Sequence, residues 1–247
     1  SFTETVTLSD TPIAEQIICA VDLGINTDAV CSIMKADGTI LARKFIDFTS
    51  DKDRMIHTMN RTRRKQSKYG PKSTRGLWAY VKRLNEDRAK KISAAIVEFA
   101  SQHSVDAIVM EYLDFKGCKK RGSKAQRLSM WNHGIIREKV EQKAHLLGIR
   151  IATICAWKTS ALAFDGSGSV TRDDNNHALA TFTTGKQYNC DLSASYNIGA
   201  RYFIRELLKS LPATEESRVK AKVPDAGRRT SCTLSTLRAL VKELSAA

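Results

Sequence analysis

Apolar residues run without alternation from Ile17 through Ile18, Cys19, Ala20 and Val21 and stop at Asp22. A strand buried on both faces reads this way, so the stretch predicts a central strand that ends on an acid. Residues 29–34 and 40–46 are two further apolar segments, separated by Lys35-Ala36-Asp37-Gly38, and Asp-Gly is a strong hairpin signal. Together they predict a three-stranded antiparallel meander. Residues 1–16, with Phe2, Thr5, Val6 and Leu8, predict an edge strand ending near Pro12 or the end of a preceding domain. Further on, Leu77, Val81, Leu84, Ile92, Ala95 and Phe99 keep helical spacing and predict a long amphipathic helix, preceded by the basic loop RTRRKQSKYGPKSTR.

A second short apolar run, 106–112, ends on Glu111. The basic loop FKGCKKRGSKAQR then leads into a predicted helix over 128–147 and a strand over 149–154. Residues 155–187 are rich in Gly, Ser, Thr, Asp and Asn and predict a small irregular lobe. Asp191 opens a helix running through 192–208. Residues 212–229 read as a polar loop, and Thr230 or Ser231 caps a final helix through Leu244.

Charge changes the picture most. Forty Lys and Arg against 26 acids give +14 over 247 residues, which favours a polyanionic partner, nucleic acid before a membrane surface. The excess is concentrated: residues 61–91 hold twelve Lys or Arg and two acids. One-signed charge of this density marks a track for phosphates, with Arg61, Arg63, Arg64, Lys65, Lys68, Lys72 and Arg75 as its first members and Lys119, Lys120 and Arg121 as a second group. An apolar fraction of 42% supplies a sizeable core. The N-terminal residues carry neither a secretion nor a transit signal, so the expected location is cytoplasmic; a first residue other than Met suggests a piece of something longer. Six cysteines without a CxxC pair read as ordinary thiols.

Taken singly, each acid is as well explained by a turn or a helix cap. Jointly, Asp22 at the end of one strand, Glu111 at the end of a later strand and Asp191 at the head of a late helix follow the order of RNase H-like nucleases. Three carboxylates suit Mg²⁺, which takes oxygen ligands, and two such ions stabilise both oxygens of a phosphodiester displacement. His133, beside Trp131, reads as a packing or hydrogen-bonding residue rather than a general base.

The segments VDLGIN, VMEYLDFKG, LSMWNHGIIREKVEQKAHLLGIRI, the Thr159-Ser160 pair and DLSASYNIGAR, in this order around the basic insert, resemble the RuvC nuclease domain of TnpB transposon proteins and type V CRISPR effectors over about residues 17–209. The resemblance implies an α/β, RNase H-like (RuvC) mixed sheet flanked by helices. It implies an RNA-guided DNA endonuclease with two Mg²⁺, in which Asp22, Glu111 and Asp191 are catalytic and metal-binding. The implied partners are a guide RNA and target DNA, single-stranded at the site, together with guide-binding lobes or a separate chain that carries them. Relatives carry a zinc ribbon where this chain has Ala163, Gly166, Thr181 and Thr184, so no zinc is expected and the lobe must be held by packing or be partly disordered. Arg172 stands where relatives place an arginine that engages DNA; it is otherwise an exposed loop residue. A catalytically inactive binder and a stand-alone resolvase-type nuclease are the alternative functions. The first fits less well, because all three acids are present.

Overall fold

The computed structural model describes residues 5–113, 131–173, 176, 178–228 and 230–246. The non-alternating runs become the middle of a five-stranded sheet: β1 (Ile17–Asp22), β2 (Ala29–Lys35), β3 (Ile40–Ile46), β4 (Ala107–Tyr112) and β5 (Arg150–Cys155). The order is β3-β2-β1-β4-β5, with β1 antiparallel to β2 and parallel to β4. This is a RuvC-like, RNase H-type mixed sheet. Gly38 closes the β2–β3 hairpin at φ 80°, where a side chain would be strained.

The parity of each strand assigns its side chains to one of two cores. Cys19, Val21, Cys31 and Ile33 face helices α2 (Arg75–Gln102) and α3 (His133–Leu146), where Ile92, Ile96, Phe99 and Val140 meet them. Ile18, Ala20, Val30, Met34 and Val109 face helix α4 (Cys190–Ser210), whose Ile198, Phe203 and Leu207 complete the second core. Because both faces are covered, strands β1 and β4 cannot alternate polar with apolar, which is why they read as solid runs.

Several expectations are corrected. Residues 5–16 form no strand; the segment crosses the sheet's lower end, where Ser9 Oγ and Thr11 Oγ1 donate to Asp106 and Ser9 N donates to Gly148 O at 2.9 Å. The first part of the basic loop is helical: α1 (Thr49–Tyr69) runs through Arg61–Lys68 and stops at Gly70, at φ 80°, before Pro71. The insert is thus a helical hairpin of α1 and α2, because no glycine or proline interrupts the chain before residue 70. The polar stretch after Pro212 also folds, as α5 (Ala213–Lys222) and a 3-10 turn (Pro224–Gly227). Glutamates 215 and 216 stand in the first turn of α5 and lysines 220 and 222 in its last, each matched to the helix dipole. The final helix, α6 (Leu234–Ser245), is capped by Thr233 in a reciprocal capping box with Thr236, not by Thr230 or Ser231. Of the helix expected over 128–147, residues before 131 lie outside the described residues; α3 begins at His133 after Asn132, whose φ of 50° breaks the helix.

The lobe between β5 and α4 is ordered by β6 (Thr171–Arg172), β7 (Leu179–Thr181) and β8 (Gln187–Asn189). Its interior is apolar and aromatic: Ala163, Ala180, Phe182 and Cys190 are buried, with Phe164, Val170 and Tyr188 packed on them. Of the four ribbon positions, Ala163 lies in this small core and Thr181 stands half-buried on β7. Among the described residues, no helix is long and apolar enough to cross a membrane.

Candidate active site

Adjacent parallel strands bring two acids side by side. Val21 pairs with Met110, and one residue further along are Asp22 on β1 and Glu111 on β4. Both belong to the parity that faces α4, since Asp22 pairs with Val30 and Glu111 with Ile154, both in the α4 core. The third acid arrives from that helix. Asn189 caps α4 by accepting from Leu192 N at 2.8 Å, which places Asp191 in the first turn. What sets the height of α4 is Gly199: a β-carbon there would lie 2.9 Å from Met34 Cε and 3.2 Å from Ala20 Cβ. With hydrogen in that position the helix packs closely on β1, two residues below Asp22, and a side chain there would require the Met34 tip and Ala20 to give way.

Electrostatics join the three. Burial pushes the Asp22 carboxyl well above its ordinary range, and the negative charges of Glu111 and Asp191 push it further. Burial also raises Glu111 and Asp191. Against this, Thr159 Oγ1 donates to Glu111 Oε1 and the Arg201 guanidinium lies close enough to favour its charge, while Thr27 donates to Asp191. Arg172, on exposed β6, lowers both Asp22 and Asp191. His133 is half of another support: its ring donates to the Glu111 backbone carbonyl, and burial with the Arg137 charge holds the imidazole below its usual range, hence neutral. It positions the end of β4, as a hydrogen-bonding residue should.

The structure therefore gathers Asp22, Glu111, Asp191 and Arg172 at one end of the sheet. The other basic residues expected to meet nucleic acid lie elsewhere where they are described. Arg61, Arg63, Arg64, Lys65 and Lys68 are exposed on the far half of α1, and Lys72 and Arg75 on the turn into α2. Lys119, Lys120 and Arg121 lie outside the described residues. Among the described residues, no three His, Cys, Asp or Glu side chains converge closely enough to hold a single metal ion.

Sequence reasoning missed Thr27 and Arg201. Nothing in the sequence marks Thr27, whose partner is far along the chain. Arg201 did carry a signal, a lone guanidinium on an otherwise apolar stretch of helix. It donates to Cys155 O and Trp157 O at 2.8 Å, to Thr230 O at 3.0 Å and to Cys232 O at 3.2 Å. Asn197 does similar work beside it, donating to Thr159 O and Leu162 O and accepting from Leu234 N.

No protein-family model matches the sequence, and no curated protein does. Solved structures match in fold. A Cas12f1–sgRNA–target DNA complex superposes with a TM-score of 0.56 at 19% identity, covering 77% of this chain and 51% of that one. A CRISPR-Cas12f ternary complex gives 0.52 at 16% identity, covering 78% and 40%. The AacC2c1–sgRNA binary complex gives 0.56 at 10% identity, covering 76% and 39%. The chain spans about half or less of the length of these proteins, and over that span it shares the fold of a type V effector.

Proposed function

We propose that the chain is a metal-dependent DNA endonuclease of RuvC type, the cutting part of an RNA-guided, TnpB-like or type V CRISPR effector. One observation carries this reading: three carboxylates from β1, β4 and α4 are held so that burial, and at Asp22 the neighbouring charges, resist ionisation. A fold that spends stability on crowding acids needs a cation to recover it. The donor set fits Mg²⁺, since every donor is a carboxylate oxygen. Asp22, Glu111 and Asp191 would hold two such ions between them, and the ions would supply an activated water and take up charge on the leaving oxygen.

The chain's own residues have separate tasks. Thr159 and His133 fix Glu111 from side chain and backbone, Thr27 fixes Asp191, and Arg172 offers a positive charge to a phosphate approaching the acids. The basic face of α1, with Lys72 and Arg75, would hold backbone phosphates away from the cut, joined by Lys119, Lys120 and Arg121. The guide RNA and target DNA are inferred from the charge of +14 and from the likeness to effectors solved with sgRNA.

The test is cleavage of a labelled single-stranded DNA with Mg²⁺, with EDTA, and by Asp22→Ala. Cutting that needs the metal and disappears in the variant, while binding changes little, is the expected result. Full cutting by Asp22→Ala would refute the assignment.

A further inference from the structure

Strand β3 is the open edge of the sheet on the side away from β5, and it does not bury its outer residues: Phe45 is 51% exposed and Leu41 45%. Register locates Phe45. Asp22 pairs with Val30, and Val30 pairs with Phe45, so the three form one row across β1, β2 and β3. Residues in one row share a face, and strands are about 4.8 Å apart, so the Phe45 backbone lies ~10 Å from that of Asp22 on the same side of the sheet. That side is the α4 side: Val30 lies in the α4 core, and Arg43, two residues from Phe45, has its guanidinium 5.8 Å from the Tyr196 ring of α4. By contrast Lys44, of opposite parity, lies over Phe99 of α2.

Cations lie along the same side of the molecule. Arg43 is exposed next to Phe45. Tyr196 continues to Phe164 at 5.3 Å between ring centroids, and Lys186 of the lobe sits 4.6 Å above the Phe164 ring. Arg172 completes the positive rim at the acids. An exposed phenyl ring in the same row as Asp22, with an exposed arginine two residues away, suits an anionic chain with flat apolar bases.

We propose that Phe45, flanked by Arg43, is a stacking seat for an unpaired base of the strand whose phosphate reaches Asp22. The occupant is single-stranded nucleic acid, and the inference rests on the nuclease reading above. Arg43 takes the neighbouring phosphate while the phenyl ring takes the base, without regard to its identity, because every base has a π-face. The row geometry then sets which linkage meets the acids, so the seat governs where the strand is cut.

The experiment uses single-stranded DNA carrying 2-aminopurine at successive positions, with the chain in an Asp22→Ala background so that the strand stays whole. The parent quenches the fluorophore at one position on binding. Phe45→Ala is expected to abolish that quenching and weaken binding about tenfold, equivalent to about 1.4 kcal/mol and within the range for base stacking on an aromatic side chain. Phe45→Leu, which keeps an apolar side chain, should behave like Phe45→Ala, and Phe45→Trp should restore both readouts. With half of Phe45 in solvent, all three should keep the parent's thermal melt. Unchanged quenching and affinity in Phe45→Ala, or full function in Phe45→Leu, would overturn the seat and leave the nuclease reading standing. No DNA binding by the parent would overturn both.

Discussion

Asp106, the residue before β4, shows how far a single side chain can be from legible. Burial would raise its carboxyl, but hydroxyls of Ser9 and Thr11, the Ile17 N–H at 2.8 Å and the Arg150 charge outweigh that and hold it below the ordinary range. A depressed carboxylate contributes stability that is complete above its unfolded pKa and is lost as pH falls through the folded one. Asp106→Asn should therefore melt a few degrees below the parent at pH 7, and the gap should close as pH falls below about 4. Thermal melts at pH 7, 5 and 3 decide it; an equal gap at all three would remove the charge from the explanation. In the sequence Asp106 is one polar residue before an apolar run, and its hydroxyl partners lie 95 and 97 positions away. Asp22 and Glu111 were readable because each terminates a buried run, a local event. Thr27, Arg201 and Asp106 act through partners the chain supplies later or earlier, and local pattern holds no trace of those.

Among the elements, the five strands of the large sheet are plain in the sequence, whereas the short strands of the lobe and the ends of helices are not. β1 to β3 follow from apolar runs and one Asp-Gly turn, whereas α1 was taken in part for a loop. The reason is physical: α1 has few apolar positions, with Met55 and Thr62 its buried residues, so it carries little of the periodicity that identifies a helix. Its stability comes from lying along α2, with Trp78 Nε1 donating to Gln66 Oε1 at 2.7 Å and Arg54 to Tyr80 Oη at 2.7 Å. α4 is the opposite case, an apolar helix whose identity was plain but whose seating depends on Gly199. Gly199→Ala should cost about 1–3 kcal/mol by overpacking against Met34 and Ala20. Urea unfolding with an unchanged slope and a lower midpoint is the expected reading. A midpoint equal to the parent's would mean that the sheet yields freely under the helix.

Over the whole molecule, one group of cations lies at the acids and another on the helical insert. α1 starts beside the site end of the sheet, where Phe48 N donates to Asp28 Oδ2 at 2.9 Å and the buried Arg88 pairs with the same carboxylate. Its 21 residues then carry the chain ~30 Å outward. The exposed cations of its far half are thus on an arm, away from the acids. Replacing Arg63, Arg64 and Lys65 together by Gln should lower the magnitude of the slope of log K against log salt by up to about 2, at ~0.7 per phosphate contact on a single strand. Binding measured across a salt series tests it, and an unchanged slope would make the arm a solvated face. The run of cations was plain in the sequence although its place on a helical arm was not, and the aromatic interior of the lobe was hidden by the polar composition of its turns. One further property follows from the arginine beside Glu111. Two of its four carbonyl partners, Thr230 and Cys232, are made about thirty residues after Arg201 itself. The arginine thus ties Glu111 to residues 230–232, so a substitution that loosens that stretch would reach the site although the stretch contains none of its acids.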